Sequence, residues 1–302
     1  MATSARPVRR LLAALALALG FALPATAQTD LPDPDAVATF DSLDDAHTSL
    51  NGYLWIPDGK GPFPSIVVMH GCRGVYAGEP YDATVISRPY REWAQRLTQR
   101  GFLVLLVDGF RSRFANRTDA EPNKLTSVCD MPDDQRQDTI DETTVRPLDA
   151  YAALRWLRGR PEVRDDAIAL MGFASGANAA LSAMAANGPA TAILGGNWPQ
   201  GFRAGVAFYP GCEFQNRYRP VGYRVYGPVR LFVGGADTRT PPHPHCDKLV
   251  HTARTEGGDI DIRFYANAGH GFDRQPGAAR DDSIARTLDF LTRVTRGQPG
   301  GR

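Results

Sequence analysis

Short apolar runs alternate along this chain with longer segments in which apolar and polar residues recur at helical spacing. Uninterrupted apolar runs are typical of strands in a parallel sheet that is covered on both faces. They predict six strands, at residues 64–69, 102–107, 167–171, 203–209, 229–233 and 260–265. The amphipathic segments predict five helices, at residues 90–100, 135–158, 175–186, 244–256 and 281–294. This alternation predicts the α/β class, with a doubly wound, mostly parallel sheet and helices on both faces.

Three segments lie outside this alternation. Residues 28–36 are polar with two prolines and predict a disordered lead-in, while residues 297–302 predict a tail. Residues 37–56 predict one or two further strands with a turn at Asn51-Gly52. Because neither a repeat nor a linker divides residues 37–296, we expect them to form a single domain.

The first 27 residues have the three parts of a secretion signal. Three arginines without an acid precede an apolar run at residues 11–23, and Ala25-Thr26-Ala27 supplies the small residues of a cleavage site. The run is too short to span a bilayer, and it lacks the polar face of a buried amphipathic helix. We therefore expect a signal peptide over residues 1–27, cleavage near Ala27 and a secreted or periplasmic protein.

Charge and hydropathy limit the partners of the remaining chain. The formal net charge is +1, and removing the three signal arginines leaves a small negative charge. There is no basic surplus to predict a nucleic-acid partner, and no later segment has the length and apolar character of a membrane span. We expect a monomer that neither binds nucleic acid nor associates with a membrane.

The cysteine count fits an exported protein. The four cysteines are Cys72, Cys129, Cys212 and Cys246. In an oxidising compartment an even number predicts two disulfides, for which three pairings are possible, and four free buried thiols are the weaker alternative. His243 and His245 lie next to Cys246, but no partner cluster completes a zinc ligand set, so we expect no metal.

A strand-to-helix turn with flanking glycines follows the strand at 167–171. Its sequence is Gly172-Phe173-Ala174-Ser175-Gly176, the pattern of a nucleophile elbow in which Ser or Cys normally occupies the centre. Here the nucleophile position is Ala174, which carries no nucleophilic atom. A register one residue later would make Ser175 the alternative nucleophile, but would put Phe173 where the turn needs a small residue.

An acid and a base follow two later strands in the order that such an elbow requires. Asp237 comes after the strand at 229–233, and His270 comes after the strand at 260–265. The chemistry needs a histidine base beside the nucleophile and a carboxylate that fixes its tautomer. We therefore predict that Asp237 orients His270 and that His270 acts as the base.

A turn after the strand at 64–69 predicts an oxyanion hole. His70-Gly71-Cys72 is a His-Gly turn of the kind that supplies one backbone N–H, while the residue after the nucleophile supplies the second. We assign these two donors to Cys72 and Ser175. We expect His70 to be a packed structural histidine rather than a second base.

Taken together, the motifs at these strand ends resemble the dienelactone hydrolase family, particularly its exported members. The resemblance covers residues 50–294 and rests on His70-Gly71-Cys72, Val107-Asp108-Gly109-Phe110-Arg111, Cys129, the elbow, Gly235-Ala236-Asp237 and Gly269-His270-Gly271-Phe272. It implies an α/β-hydrolase fold, no cofactor or metal, and hydrolysis of a small-molecule ester or lactone through an acyl-enzyme. The sequence departs from the family at Ala174.

The sheet order that this fold implies also suggests how the cysteines pair. The strands before Cys72 and Cys129 should be neighbours, as should those before Cys212 and Cys246, so we predict these two disulfides. The polar loop at residues 111–134 also follows a strand end. Its cations Arg111, Arg113, Arg117 and Lys124 can either meet a carboxylate-bearing substrate or belong to a solvated surface loop.

The sequence thus predicts an exported ester or lactone hydrolase with a nucleophile–His–Asp triad whose activity is impaired by Ala174. Two alternatives stay open. The chain can be a non-catalytic secreted relative that binds a ligand in the old cleft, or it can be active through Ser175 in a shifted elbow.

Overall fold

All six predicted strands belong to one eight-stranded sheet in the computed structural model. The structure describes residues 1, 31–77, 82–114, 128–129 and 140–296, and it describes only the backbone of residues 82–84 and 190–191. The strands are β1 (Ala36–Asp41), β2 (Ser49–Trp55), β3 (Phe63–Met69), β4 (Tyr76–Ala77), β5 (Asp82–Ile86), β6 (Leu103–Asp108), β7 (Val163–Phe173), β8 (Gly205–Phe208), β9 (Val229–Gly234) and β10 (Ile260–Tyr265). The large sheet has the order β1-β2-β6-β3-β7-β8-β9-β10, and β4 pairs with β5 separately. Within the large sheet, the pairs β1–β2 and β2–β6 are antiparallel and the others parallel, whereas β4 and β5 pair antiparallel.

Helices cover both faces of this sheet, as the sequence predicts. They are α1 (Arg88–Thr98), α2 (Arg111–Phe114), α3 (Arg146–Arg158), α4 (Ser175–Ala183), α5 (Pro189–Leu194), α6 (His245–Thr255) and α7 (Ala278–Thr295). Alternate strand residues point to opposite faces. Val67 and Met69 accordingly join a core with α3, α4 and α6, whereas Ile66 and Val68 join a second core with α1 and α7. The predicted α/β class with a mostly parallel sheet is confirmed, and the described residues from 31 to 296 form one compact unit.

The predicted turn at Asn51-Gly52 is wrong. Both residues lie inside β2, where they pair with β6, and residues 42–48 connect β1 to β2. An Asn-Gly pair ordinarily favours a two-residue hairpin turn. Here the glycine provides space, because a Cβ on Gly52 would lie 2.6 Å from the Leu105 side chain.

The described part of the lead-in is also ordered, contrary to the prediction for residues 28–36. Trp55 Nε1 donates to the Pro32 carbonyl at 3.2 Å, and Asp35 accepts from the Ile56 N–H at 2.7 Å. These contacts fix residues 31–35 against the end of β2. Residues 28–30 lie outside the described residues, as do residues 2–27 of the signal predicted over 1–27 and the tail at 297–302.

The helix predicted at residues 135–158 begins later, at Arg146. Within the described residues, 140–145 form turns in which an Asp141 carboxylate oxygen accepts from the N–H groups of Thr143 and Thr144, at 2.7 and 2.9 Å. Aspartate competes in this way with helical hydrogen bonding, and Pro147 then suits the first turn of α3.

The structure contains the two predicted disulfides, Cys72–Cys129 and Cys212–Cys246. The first joins the segments after the neighbouring strands β3 and β6. The second joins the segments after the neighbouring strands β8 and β9. Among the described residues, no helix has both the length and the apolar character needed to cross a membrane.

Candidate functional site

The elbow is a strained turn with Ala174 at its centre. Ala174 separates β7 from α4 and has φ 50° and ψ −119°. Residues other than glycine rarely adopt a positive φ, and such strain concentrates at functional sites. The flanking glycines permit the turn, because a Cβ on Gly172 would lie 2.0 Å from the Gly176 oxygen and one on Gly176 would lie 2.3 Å from the Met69 oxygen. The strained residue is therefore Ala174.

Ser175 is the first residue of α4, one position beyond the strained residue. Its Oγ accepts a hydrogen bond from Arg146 Nη1 at 3.4 Å. Arg146 is only 1% exposed, so the Ser175 hydroxyl is turned toward a buried guanidinium. In this arrangement the serine hydroxyl is not at the centre of the turn.

Asp237 and His270 lie together at the carboxyl ends of the parallel neighbours β9 and β10. His270 Nδ1 donates to Asp237 Oδ2 at 2.8 Å, which leaves Nε2 of a neutral ring as an acceptor. The Asp237 side chain is 1% exposed and that of His270 is 23% exposed. The carboxylate is therefore enclosed while the imidazole is partly exposed to solvent, as an orienting acid and a base require.

Further hydrogen bonds hold Asp237 in its ionised form. Oδ1 accepts from the N–H groups of Arg239 and Thr240, at 2.9 and 3.0 Å, and Oδ2 accepts from Thr240 Oγ1 at 2.7 Å. Burial acts to raise the pKa of Asp237, but the hydrogen bonds from His270 and Thr240 outweigh burial and lower that pKa. The carboxylate is thus charged at neutral pH.

Sequence reasoning missed the aromatic support of His270. The Tyr209 ring, at the end of β8, packs against the imidazole with centroids 4.7 Å apart. Tyr209 OH donates to Asp273 Oδ1, and Trp93 Nε1 donates to Asp273 Oδ2, both at 2.8 Å. The sequence offers two signals for this support: Tyr209 lies at the end of a strand, and Asp273 lies three residues after His270.

The His-Gly turn lies beside the elbow. A Cβ built on Gly71 would be 3.5 Å from the Cβ of Ala174. Within the described part of the chain, neither the Cys72 N–H nor the Ser175 N–H donates to another protein group. Among the described residues, both candidate oxyanion donors are therefore free of protein acceptors, as a site for a developing negative charge requires.

His70 is fully buried and its ring contacts the backbone of this turn and of Gly109. Its Nε2 accepts from the Gly109 N–H at 3.2 Å, so Nδ1 carries the hydrogen and donates to the Gly71 carbonyl at 2.7 Å. Burial, together with the positive charges of Arg146 and Arg113, holds the pKa of His70 well below its usual value. A neutral, enclosed imidazole fits the expectation of a structural histidine.

The arginines of the 111–134 segment have different surroundings. Arg111 Nη1 donates to Tyr76 OH at 2.8 Å. Arg113 is bound by the carboxylates of Asp149 and Asp44 at 2.8 and 2.7 Å, with 4% of its side chain exposed. Arg113 is thus structural, while a substrate contact by Arg111 stays a prediction. Arg117 and Lys124 lie outside the described residues.

The cluster around Cys246 is divided among separate contacts. Cys246 belongs to a disulfide, His243 pairs with Asp247, and His245 Nε2 lies 3.3 Å from Glu213 Oε1. Across the described residues, no group of three or more His, Cys, Asp or Glu side chains is arranged to hold a metal ion.

Comparison with known proteins identifies the family. A model of the dienelactone hydrolase family matches residues 50–295. The chain belongs to this family. The resemblance drawn from the strand-end motifs is thereby confirmed, and family membership makes an ester hydrolase the expected chemistry. None of the curated proteins compared matches the chain.

Solved structures of dienelactone hydrolase-like proteins and esterases share the fold. A dienelactone hydrolase-like promiscuous phosphotriesterase from metagenomic libraries is 19% identical, with a TM-score of 0.59 over 86% of this chain and 98% of that one. Esterase 2 of Thermogutta terrifontis is also 19% identical, with a TM-score of 0.57 over 90% and 98%. A bacterial brefeldin A esterase is 16% identical, with a TM-score of 0.58 over 90% and 80%. At these identities the likeness concerns the fold alone.

Proposed function

We propose that this protein is an exported ester or lactone hydrolase of the dienelactone hydrolase family whose activity is impaired because Ala174 occupies the nucleophile position. The observation that carries the proposal is the hydrogen bond of 2.8 Å between His270 Nδ1 and the enclosed Asp237 carboxylate. Such a pair serves to draw a proton from a nucleophile through Nε2. The positive φ of Ala174 supports position 174 as the place of that nucleophile.

A serine at position 174 would complete a two-step hydrolysis. Its Oγ would attack the ester carbonyl while His270 Nε2 takes the hydroxyl proton, and the N–H groups of Cys72 and Ser175 would stabilise the oxyanion. The imidazolium would return the proton to the leaving alcohol. Water, activated by His270, would then release the acid from the acyl-enzyme.

In the chain as it stands, the same site lacks the attacking atom. Removing a triad member typically leaves roughly 10³–10⁴-fold catalysis over water, from binding and the oxyanion hole. A trace of ester hydrolysis is therefore expected and would not by itself implicate Ser175. The hydrogen bond from Arg146 to the Ser175 hydroxyl favours Ala174 over Ser175 as the nucleophile position.

Restoring the nucleophile tests the proposal. Residues 28–302 would be assayed with a short activated ester as the unchanged chain and as Ala174→Ser, Ser175→Ala and Ala174→Ser/His270→Ala variants. We expect high turnover only from Ala174→Ser, and its loss on removing His270. High turnover by the unchanged chain that Ser175→Ala abolishes would make Ser175 the nucleophile. Saturable ligand binding without turnover, even by Ala174→Ser, would favour a secreted binding protein.

Export is a separate part of the proposal. Two disulfides are consistent with an oxidising compartment, and the basic and apolar segments before Ala27 support a cleaved signal. The full chain would be expressed in a Gram-negative host, and the periplasmic fraction analysed by intact mass. We expect a chain that begins at Gln28, whereas an uncleaved cytoplasmic product would contradict export.

A further inference from the structure

One buried cation beside the elbow has no role in the proposed reaction so far. Arg146, the first residue of α3, is only 1% exposed. Burying a guanidinium is costly unless hydrogen bonds and opposite charges compensate. Its partners therefore indicate what this buried charge does.

The partners of Arg146 belong to the two parts of the candidate oxyanion hole. Its Nη2 donates to the His70 carbonyl at 2.8 Å, and its Nη1 donates to Ser175 Oγ at 3.4 Å. The guanidinium carbon also lies 5.1 Å from the centre of the Phe110 ring. One planar side chain thus joins the turn after β3 to the first residue of α4.

The Asp149 carboxylate does not take over the role of these partners. Asp149 and Glu142 interact electrostatically with Arg146. The Asp149 carboxylate, however, already accepts hydrogen bonds from Arg113 and Ser42. Arg146 Nε has no hydrogen-bond partner among the described residues. The two terminal nitrogens therefore make the directed contacts.

These contacts fix two consecutive peptide groups. The His70 carbonyl and the Gly71 N–H belong to one peptide, whose oxygen accepts from Arg146 and whose N–H donates to Tyr90 OH at 3.0 Å. The next peptide contains the Gly71 carbonyl, which accepts from His70 Nδ1 and from the Gly74 N–H at 3.1 Å, and the Cys72 N–H, the candidate oxyanion donor. The peptide that carries the Cys72 N–H is thus held by His70 and Gly74, and it joins at Gly71 the peptide that Arg146 holds.

We propose that Arg146 is a positioning residue of the oxyanion hole. It ties the peptide before Gly71 to Ser175, so that the Cys72 and Ser175 N–H groups converge on one point. This inference rests on the proposed function, since it concerns the same site. Lysine cannot reproduce the role fully, because one ammonium lacks the planar pair of nitrogens that reaches two acceptors at once.

Turnover in the Ala174→Ser background tests this role. The variants are Arg146→Met and Arg146→Lys, with Arg155→Met as the matched control at an exposed position of α3. Loss of one oxyanion donor typically lowers kcat by roughly 10²–10³-fold. We expect Arg146→Met to lower kcat by about 10²-fold with little change in KM, Arg146→Lys to lower it less, and Arg155→Met to leave it unchanged.

Chemical rescue separates positioning from a merely structural role. Added guanidinium ion should restore part of the kcat of Ala174→Ser/Arg146→Ala, and should not affect Ala174→Ser/His270→Ala. An effect confined to thermal stability, with the kcat of the folded protein unchanged and no rescue, would overturn the inference. Should Arg146→Met fail to fold, Arg146→Lys and the rescue experiment still decide.

Amide hydrogen exchange provides a readout that does not need turnover. In the unchanged Ala174 chain, Arg146→Met should increase exchange at Gly71 and at the start of α4, while β9 and β10 keep their protection. Unaltered amide exchange at Gly71 would contradict the proposal that Arg146 holds the peptide before Gly71. An inactive Ala174→Ser chain would instead remove the proposed function and, with it, the positioning role of Arg146. That result is distinct from an active chain that is insensitive to Arg146.

Discussion

The two halves of the candidate site differ in what they retain. At the ends of β9 and β10, the Asp237 carboxylate accepts four hydrogen bonds and orients His270, so the chemical groups are complete. At the elbow, the backbone of Ala174 has the strained conformation, but the side chain has no reacting atom. The difference teaches that the elbow geometry is set by backbone packing and not by the nucleophile it would present.

Backbone hydrogen bonds explain why the turn persists without a nucleophile. The Ala174 N–H donates to the Phe208 carbonyl of β8 at 3.0 Å, and the Ala174 carbonyl accepts from Ala177 and Asn178 at 2.9 and 3.2 Å. The same residue thus ends a central strand and starts α4. A backbone in such a region costs about 1–3 kcal/mol, which these contacts and the flanking glycines accommodate.

The acid–base half can be tested most strongly by removing its carboxylate. In the Ala174→Ser chain, Asp237→Asn should lower kcat by about 10⁴-fold, because the amide no longer holds His270 in the tautomer with a free Nε2. Steady-state ester hydrolysis measures the loss. Asp247→Asn, an exposed carboxylate beside His243, is the matched control and should have no effect. A loss of less than 10-fold for Asp237→Asn would remove this pair from the mechanism.

The disulfides test whether the elbow half depends on its neighbouring loop. The two disulfides close loops with sequence separations of 57 and 34 residues. In the chain-entropy account, each disulfide stabilises the folded protein by about 4 kcal/mol. Replacing either pair by alanine should therefore lower the urea midpoint. Only the Cys72/Cys129 replacement should also reduce turnover of the Ala174→Ser chain, since Cys72 carries a candidate oxyanion donor. Equal turnover losses for the two pairs would contradict this difference.

The sequence predicts those parts of the fold and site that depend on local pattern. The apolar runs and the residues directly after them identify the strands, the elbow and the Asp237–His270 pair. The hydrogen bond between Trp93 and Asp273 joins positions 180 residues apart, and no local pattern encodes such a contact. The Asn51-Gly52 turn fails for the same reason, because the space that Gly52 provides is needed by a side chain of another strand.

The flanking glycines test the claim that packing sets the elbow. Gly172→Ala would bring a Cβ to 2.0 Å from the Gly176 oxygen, and backbone atoms cannot move aside cheaply. We expect a loss of about 3 kcal/mol in the free energy of unfolding, measured by urea denaturation. Gly269→Ala is the matched control, because its Cβ would meet only the Ala236 oxygen, at 4.0 Å. Similar stability losses for both would show that the clash does not set the turn.

The smallest expected effect concerns Arg111, which belongs neither to the elbow nor to the Asp237–His270 pair. It would contribute to substrate binding rather than to the chemical steps. In the Ala174→Ser chain, Arg111→Gln should raise KM for a carboxylate-bearing ester by up to about 5-fold, since exposed charge pairs contribute at most about 1 kcal/mol. KM for a neutral ester of the same size should not change. Tyr76→Phe, which removes the acceptor of the Arg111 hydrogen bond, should alter the acidic ester alone by a smaller factor. Equal KM changes for both esters would assign Arg111 to the structure of its loop, leaving the elbow and the acid–base pair as the parts of the site that act on substrate.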